Sequence, residues 1–477
     1  MKRSRRPTRS HASGGWKPTH APSSKRLIVA TDGGRPVIVA PEGFAPVQRS
    51  GGWGGFAETF IRANEAAFGL LDVRPEVTGG ANGVTIRLLP GERAGAMPLK
   101  SSFDGQVVGG LLVTPRFGWS GVGQILQETG WQAAPELPVM QMVPGSARHV
   151  PPWVLAGPVL ARIEALLAAL SPGFREKEDT LTKPRGRIVW SRYVSESMSR
   201  GQWHRLPCRF PDLSTDPVLR RHVRWALERI RRELLAVGKD DVVALTLAAS
   251  ALRMLELLND VVPLMPTRDE LDRRARGARL TGECLRLGIE AIAWIVDERG
   301  LGGGSERDGL AWVMPLSMLW ETYVESVYRH EVAQTGGVVK VGRLRETIVP
   351  LEWSNPTHRT LGHLVPDIVI RRSGFVEVVD AKYKAHLAEV GESDWRRLEN
   401  EIREAHRADL HQILAYASLY DADEVAATLV YPLRYSTFVS LRDQRRDRTY
   451  AQLTHGGRTV HLELRGLPFG NVQGPLA

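Results

Sequence analysis

The stretch HLVPDIVIRRSGFVEVVDAKYK, residues 363–384, decides how the C-terminal third of this chain is read. Two runs rich in Val and Ile flank Ser373-Gly374, the pattern of an antiparallel hairpin with those two residues at its turn. Arg372 then faces Phe375, and the same register sets Asp367 directly opposite Asp380. Directly opposed side chains share one face with Cβ atoms about 4.5–5.5 Å apart, and Lys382, two residues on, points to that face as well. Like charges so placed destabilise a hairpin, and the neighbouring valines 365, 369, 378 and 379 predict that this one is largely buried. A divalent cation compensates directly. Two carboxylates with room for water suit Mg²⁺, with Mn²⁺ as an alternative, and Lys382 is placed to orient a water or stabilise developing charge. The competing reading is a surface hairpin with a plain Asp–Lys salt bridge, which a bare Asp-x-Lys tripeptide would favour.

Outward from the hairpin, the segment from about Leu310 alternates helix and strand. Helix is expected over Leu316–Gln334, and strands over Ile348–Trp353, Leu364–Arg371 and Phe375–Tyr383. A polar helix is expected over Ser393–Tyr420, then strands over Val425–Tyr431, Thr437–Leu441 and Thr459–Arg465. A mixed sheet flanked by helices follows. Before it, from Pro151, apolar residues recur at helical spacing. Asp216-Pro217 is a cap and first turn, with Leu219, Val223, Ala226, Leu227, Ile230 and Leu234 on one face. Further helix is expected over Asp241–Leu258 and Leu271–Asp297, and Gly300 with glycines 302–304 marks a boundary. From Leu27 to Met142 short apolar runs broken by Gly and Pro predict strands, and Val107–Val113 leads through Pro115-Arg116-Phe117 into a short helix near Glu128. The expected fold is therefore α+β and multidomain: a basic arm without fixed structure (1–26), a β-rich N-terminal domain (27–150), a helical middle segment (151–304) and a C-terminal domain built on the hairpin (305–477).

Composition supports packed domains, since 477 residues at 43% hydrophobic and 24% charged exclude wholesale disorder and collagen-like repeats. The net charge of +10 is unevenly spread. Residues 1–26 carry eight Lys/Arg and no acid, leaving a net +2 elsewhere, so this arm is suited to nucleic-acid phosphates without sequence preference, or to a merely solubilising role. The longest uncharged apolar stretches, Val150–Ala161 and Gly309–Trp320, stop at Arg162 and Glu321, short of the ~20 residues of a membrane span, and no secretory signal follows the basic start. Cys208 and Cys284 make neither a disulfide framework nor a cysteine-rich zinc site. A cytoplasmic protein with no membrane partner is expected. No Gly-x-x-x-x-Gly-Lys-Ser/Thr loop occurs, so the chain is not expected to be a nucleotide-driven motor.

Pro366-Asp367, a 12-residue gap and then Asp380-Ala381-Lys382 at the end of an apolar strand resemble the PD-(D/E)xK nuclease superfamily. The resemblance implies a PD-(D/E)xK-like nuclease domain with Asp367 and Asp380 as metal ligands and Lys382 catalytic. It also implies an acidic helix at residues 318–324, whose Glu321 reaches the metal or its water, Glu325 offering the same role one turn on. Downstream, residues 409–417 look like the helix whose Gln412 supports the site. More closely, VPDIV (365–369), DAKYK (380–384) and DLHQILAY (409–416) resemble the McrC family, nuclease subunits of McrBC-type modification-dependent restriction systems. Residues 107–117 and Arg185-Gly186-Arg187 followed by Asp216-Pro217 are similar to that family's more N-terminal patterns. The chain departs from them in having Arg116 where Lys is usual and no asparagine near Leu219 or Arg220. Membership implies a Mg²⁺-dependent endodeoxyribonuclease acting on DNA in defence against foreign, modified DNA, with an McrB-like AAA+ GTPase as partner. Two other readings stand beside it: a free-standing DNA nuclease, and a non-catalytic DNA- or partner-binding adaptor on a nuclease fold.

Overall fold

A computed structural model of the chain describes residues 26–44, 52–80, 83–138, 141–170, 173–214, 216–278, 282–296, 308–354, 361–384, 400–422, 424–455 and 458–470. Residues 1–25 of the basic arm, Gly300 and glycines 302–304, and residues 393–399 of the expected polar helix lie outside these. Arg26, counted with the arm, is the first residue of a strand and pairs with Gly109.

The N-terminal region is β-rich. It comprises β1 (Arg26–Thr31), β2 (Val37–Val39), α1 (Gly52–Ala63), α2 (Glu65–Leu70), β3 (Val73–Gly80), β4 (Gly83–Pro90), β5 (Arg93–Lys100), β6 (Val107–Thr114), α3 (Trp119–Glu128) and β7 (Met142–Val143). One sheet has the order β2-β4-β3, and a second begins β1-β6-β5 with β1 parallel to β6.

The middle region contains α4 (Pro152–Ala169), β8 (Gly173–Leu181), β9 (Arg187–Ile188), a single turn α5 (Trp190–Arg192), β10 (Leu206–Ser214), α6 (Pro217–Ala236), α7 (Val242–Glu256), α8 (Arg268–Ala278) and α9 (Glu283–Val296). Asp216 caps α6 by accepting from the Val218 and Leu219 amides, both at 3.1 Å. The apolar face read from the sequence is the buried one. Three differences from the sequence reading have physical causes. Residues 173–214 form a three-stranded sheet, β8-β10-β9, inside a segment expected to be mostly helical. Charge-rich β8, FREKEDTL after its glycine, carries no alternating apolar signal. The helix expected over 271–297 is two, and at the break Gly282 has φ +147°, a conformation that favours glycine. Finally, α4 at 18 residues and mean hydropathy 1.4 is long and apolar enough to cross a membrane by composition, although 61% of it is buried inside the fold. It packs there against α6, α7 and α9 as a core helix.

The C-terminal region holds β11 (Gly309–Leu310), β12 (Trp312–Pro315), α10 (Leu316–Thr335), β13 (Val338–Val341), β14 (Val349–Pro350), β15 (His363–Leu364), β16 (Ile368–Arg372), β17 (Phe375–Ala381), α11 (Asn400–Ala417), β18 (Glu424–Leu433), α12 (Tyr435–Asp443), β19 (Arg448–His455) and β20 (Arg458–Pro468). A mixed six-stranded sheet runs β13-β16-β17-β18-β20-β19. β17, β18 and β20 are mutually parallel and the other pairings antiparallel. β12 belongs elsewhere. It pairs with β5 and completes the N-terminal sheet, while β11 pairs with β7, so the boundary placed at residue 305 is crossed by two strands. The strand expected over Thr437–Leu441 is instead part of helix α12, which buries only Leu441, so β-branched composition did not decide its state. The strand expected over Ile348–Trp353 shrinks to the two-residue β14.

Candidate functional site

The hairpin has the register that its turn residues dictate: Arg372 lies opposite Phe375 and Ile368 opposite Val379, so the next pair outward is Asp367 and Asp380. Gly374 takes φ +71° while Ser373 does not take a positive φ, the type II pattern that favours glycine at the second central residue. Period-2 alternation then sorts the side chains. Ile368, Ile370 and Val379 join the core that contains α10, whereas Val369, Val376 and Val378 pack with Ile413 and Tyr416 of α11. Asp367 and Asp380 fall on the α11 face.

Asp380 is buried. Lys382 Nζ forms an ion pair with its Oδ2 at 2.7 Å, and among the described residues that oxygen meets no hydrogen-bond donor in good geometry. The same ammonium donates to Gln412 Oε1 at 2.8 Å, and Gln412 Nε2 donates to Tyr416 Oη at 3.0 Å. Burial opposes the charge on Lys382, but Asp380 and the more distant Asp409 and Asp367 outweigh it and raise its pKa. The lysine is a fixed cation. Asp367 Oδ2 accepts from the Ala381 amide at 2.8 Å. Burial first, then the negative charges of Asp380 and Glu321, push its carboxyl well above the usual aspartate range. Ionising Asp367 is thus opposed where two carboxyls crowd together.

Glu321 approaches from the opposite side of the sheet, on α10. Its carboxyl is raised by burial and by the charges of Glu325 and Asp380, against the pull of Arg343. Glu325 is occupied otherwise: Arg329 Nε donates to its Oε1 at 2.8 Å and Arg343 Nη2 to its Oε2 at 2.9 Å. Of the two helix acids, Glu321 is the one whose charge acts on Asp367. Among the described residues no group of three or more His, Cys, Asp or Glu side chains converges as a ready metal cage.

The donor set fits a hard divalent cation. Two carboxyls, one with a buried oxygen that has no hydrogen-bond partner among the described residues and the other crowded by neighbouring negative charge, leave most coordination positions to water, as Mg²⁺ prefers.

A second tier of polar contacts was not singled out from the sequence. Lys384 Nζ donates to Asp409 Oδ1 at 2.7 Å, and Tyr431 Oη donates to Asp409 Oδ2 at 3.3 Å, with His406 packed beside them. Burial drives the His406 imidazole below its ordinary pKa. The available signal was spacing: Lys384 repeats the strand period of Lys382, and Asp409 sits one helical turn before Gln412.

The family described as "McrBC 5-methylcytosine restriction system component" matches residues 160–432. No curated protein matches the chain. Among solved structures the chain is similar to one described as "Refined half-complex from tetradecameric assembly of Thermococcus gammatolerans McrB AAA+ hexamers with bound McrC", at 13% identity over 94% of this chain and 96% of that one, with a TM-score of 0.39. It is also similar to the "Cryo-EM structure of the Thermococcus gammatolerans McrBC complex", at 11% identity over 64% of this chain and 88% of that one, with a TM-score of 0.27. With a family match over more than half its length, this chain belongs to the McrBC 5-methylcytosine restriction system component family.

Proposed function

We propose that the chain is the McrC-like cleavage subunit of a restriction system: a Mg²⁺-dependent endodeoxyribonuclease that hydrolyses phosphodiester bonds of foreign, modified DNA and works with an McrB-like AAA+ GTPase. The observation that carries this reading is the meeting of Asp367, Asp380 and the Lys382 ammonium on one hairpin face, with Gln412 holding the lysine from α11. Asp367 and Asp380 would hold the cation. When bound, it would supply the Lewis acidity that polarises a phosphodiester and acidifies water. Lys382 supplies the remaining electrostatic stabilisation: fixed between Asp380 and Gln412, it keeps its charge and its aim as negative charge grows on the phosphate. Gln412 prevents the lysine from collapsing wholly onto Asp380. Glu321 would add a third carboxyl from α10, whose charge acts on Asp367. The partner follows from family membership in a multicomponent system and from the lack of a phosphate-binding motor loop in this sequence.

The test is purified chain with plasmid DNA and Mg²⁺, with and without an McrB-like AAA+ protein, comparing wild type with Asp380→Ala. Cleavage that needs Mg²⁺ and disappears in the variant supports the reading. Cleavage at wild-type rate by Asp380→Ala refutes the site. Full activity without the AAA+ protein would make the chain a free-standing nuclease, and none under any condition would make it an adaptor.

A further inference from the structure

Tyr383, between Lys382 and Lys384, is buried in a contact that reaches from the six-stranded sheet to the N-terminal sheet. Arg116, two residues past the end of β6, lays its guanidinium over the Tyr383 ring, 4.6 Å from the centroid. Phe117 and Phe469 close around the same ring at 5.7 and 5.8 Å. Arg116 is itself held. Asp32, one residue past β1 and fully buried, accepts from Arg116 Nε at 2.7 Å and, through Oδ1, from the Arg116 backbone amide. The turn is shaped around this pair: Gly33 has φ +54°, and a Cβ there would meet the guanidinium at 2.6 Å. From the other side Arg434, just past β18, donates to the Arg116 carbonyl at 3.0 Å.

A buried ion pair of this kind is poorly explained by stability, because desolvating the carboxylate offsets most of what the guanidinium returns. Its position is more telling. Past Ala381 the chain leaves the ladder, and the backbone there makes two hydrogen bonds, Lys382 N to Val430 O at 2.8 Å and Lys384 N to Lys382 O at 2.9 Å. The Tyr383 ring is then the main side-chain anchor for a segment whose two flanking residues both point ammonium groups at α11.

We infer that Asp32 and Arg116 are positioning residues: by clamping Tyr383 they fix Lys382 and Lys384 on the Asp367/Asp380 face, and they tie the lysines' aim to the placement of the N-terminal sheet. This rests on the nuclease reading above for its consequence in catalysis, though not for the clamp. A displacement of about 1 Å at a catalytic group is enough to slow chemistry about a hundredfold.

The experiment uses the full chain with its AAA+ partner and the variants Arg116→Ala, Arg116→Lys and Tyr383→Leu, which keeps the apolar volume but removes the ring. Amide hydrogen exchange at 382–384 is compared with exchange at Val378 and Val379, and cleavage is resolved into kcat and KM. Arg116→Ala and Tyr383→Leu are expected to speed exchange at 382–384 about tenfold with the strand unchanged. Each should lower kcat about 10–100-fold at constant KM, and Arg116→Lys should recover most of the loss. Unchanged exchange, a rise in KM with kcat intact, or loosening across the whole N-terminal sheet overturns the inference. If the wild type fails to cut DNA, the nuclease reading falls, and the exchange data alone decide whether the clamp exists.

Discussion

Replacing Asp367 with asparagine separates the electrostatic account of the site from a purely structural one. The amide keeps an oxygen for the Ala381 N–H, which Asp367 Oδ2 accepts at 2.8 Å, and removes the charge. Asp380 already has Lys382 at 2.7 Å, whereas among the described residues Asp367 has no cation that close. Two ionised carboxylates about 5 Å apart at an effective dielectric near 20 repel by about 3 kcal/mol. Because burial and the neighbouring acids raise the folded-state pKa of Asp367, its contribution to stability is full below the unfolded value of about 3.9 and is lost as pH rises through the higher folded value. At neutral pH without divalent ions, Asp367→Asn should therefore unfold no earlier than wild type and be up to about 3 kcal/mol more stable. The loss of stability that wild type shows as pH rises through that window should vanish. Mg²⁺ at about a hundred times its dissociation constant adds about 2.7 kcal/mol to a protein that binds it only when folded, and that gain should appear in wild type alone. Thermal unfolding across pH, with and without Mg²⁺, and plasmid cleavage read all three effects. An earlier midpoint for the variant, or an equal Mg²⁺ response, would refute the reasoning.

The other predictions divide the site into parts. Lys382→Ala should abolish cleavage, while Gln412→Ala, which removes the lysine's second partner, should slow it about 10–100-fold; plasmid assays with equal cleavage by both variants would deny Gln412 a supporting role. Glu321→Gln should lower cleavage with little effect on stability. Glu325→Ala should instead cost about 1 kcal/mol in urea unfolding, because it removes the buried carboxylate that Arg329 and Arg343 share; the reverse pattern would make Glu325 the functional acid. Deleting residues 1–25, which stops short of β1, removes seven Lys/Arg. It should flatten the salt dependence of DNA binding by about 0.9 in log–log slope for each phosphate that the arm neutralises, and an unchanged slope removes the arm from DNA binding.

The hairpin was legible because its information is local. A glycine at a two-residue turn sets the register, and the register alone opposes Asp367 and Asp380. The helices at Leu316–Thr335 and Pro217–Ala236 were legible because a buried apolar face recurs with helical period. Elements without a buried face escaped. β19 is an exposed edge strand and β8 a charged one, so neither carries alternation, and α12 buries a single leucine. Pairings between distant segments escaped as well: the sequence of residues 312–315 suits a strand, but nothing in it says that its partner is β5, more than 200 residues earlier. The same limit hid Asp32 and Arg116, whose relation to Tyr383 exists only after both sheets are in place.

Their placement bears on why the site is charged as it is. At successive positions of the hairpin the opposed pairs are Ile368 with Val379 and Val369 with Val378, apolar and fully compatible with burial. A third pair of that kind at 367 and 380 would stabilise the sheet more than two acids do. The chain instead sets three acids, Asp367, Asp380 and Glu321, against Lys382, while Arg343 is divided between Glu325 and Gln132. On the nuclease reading, negative charge on these acids would repel a phosphodiester until a cation neutralised it, so DNA binding at the hairpin would depend on cation binding. The lysine cannot take over that role, since Asp380 and Gln412 hold it, and the residue that follows it is pinned to the N-terminal sheet. On the nuclease reading, this hairpin face is where substrate and metal would complete each other's charge.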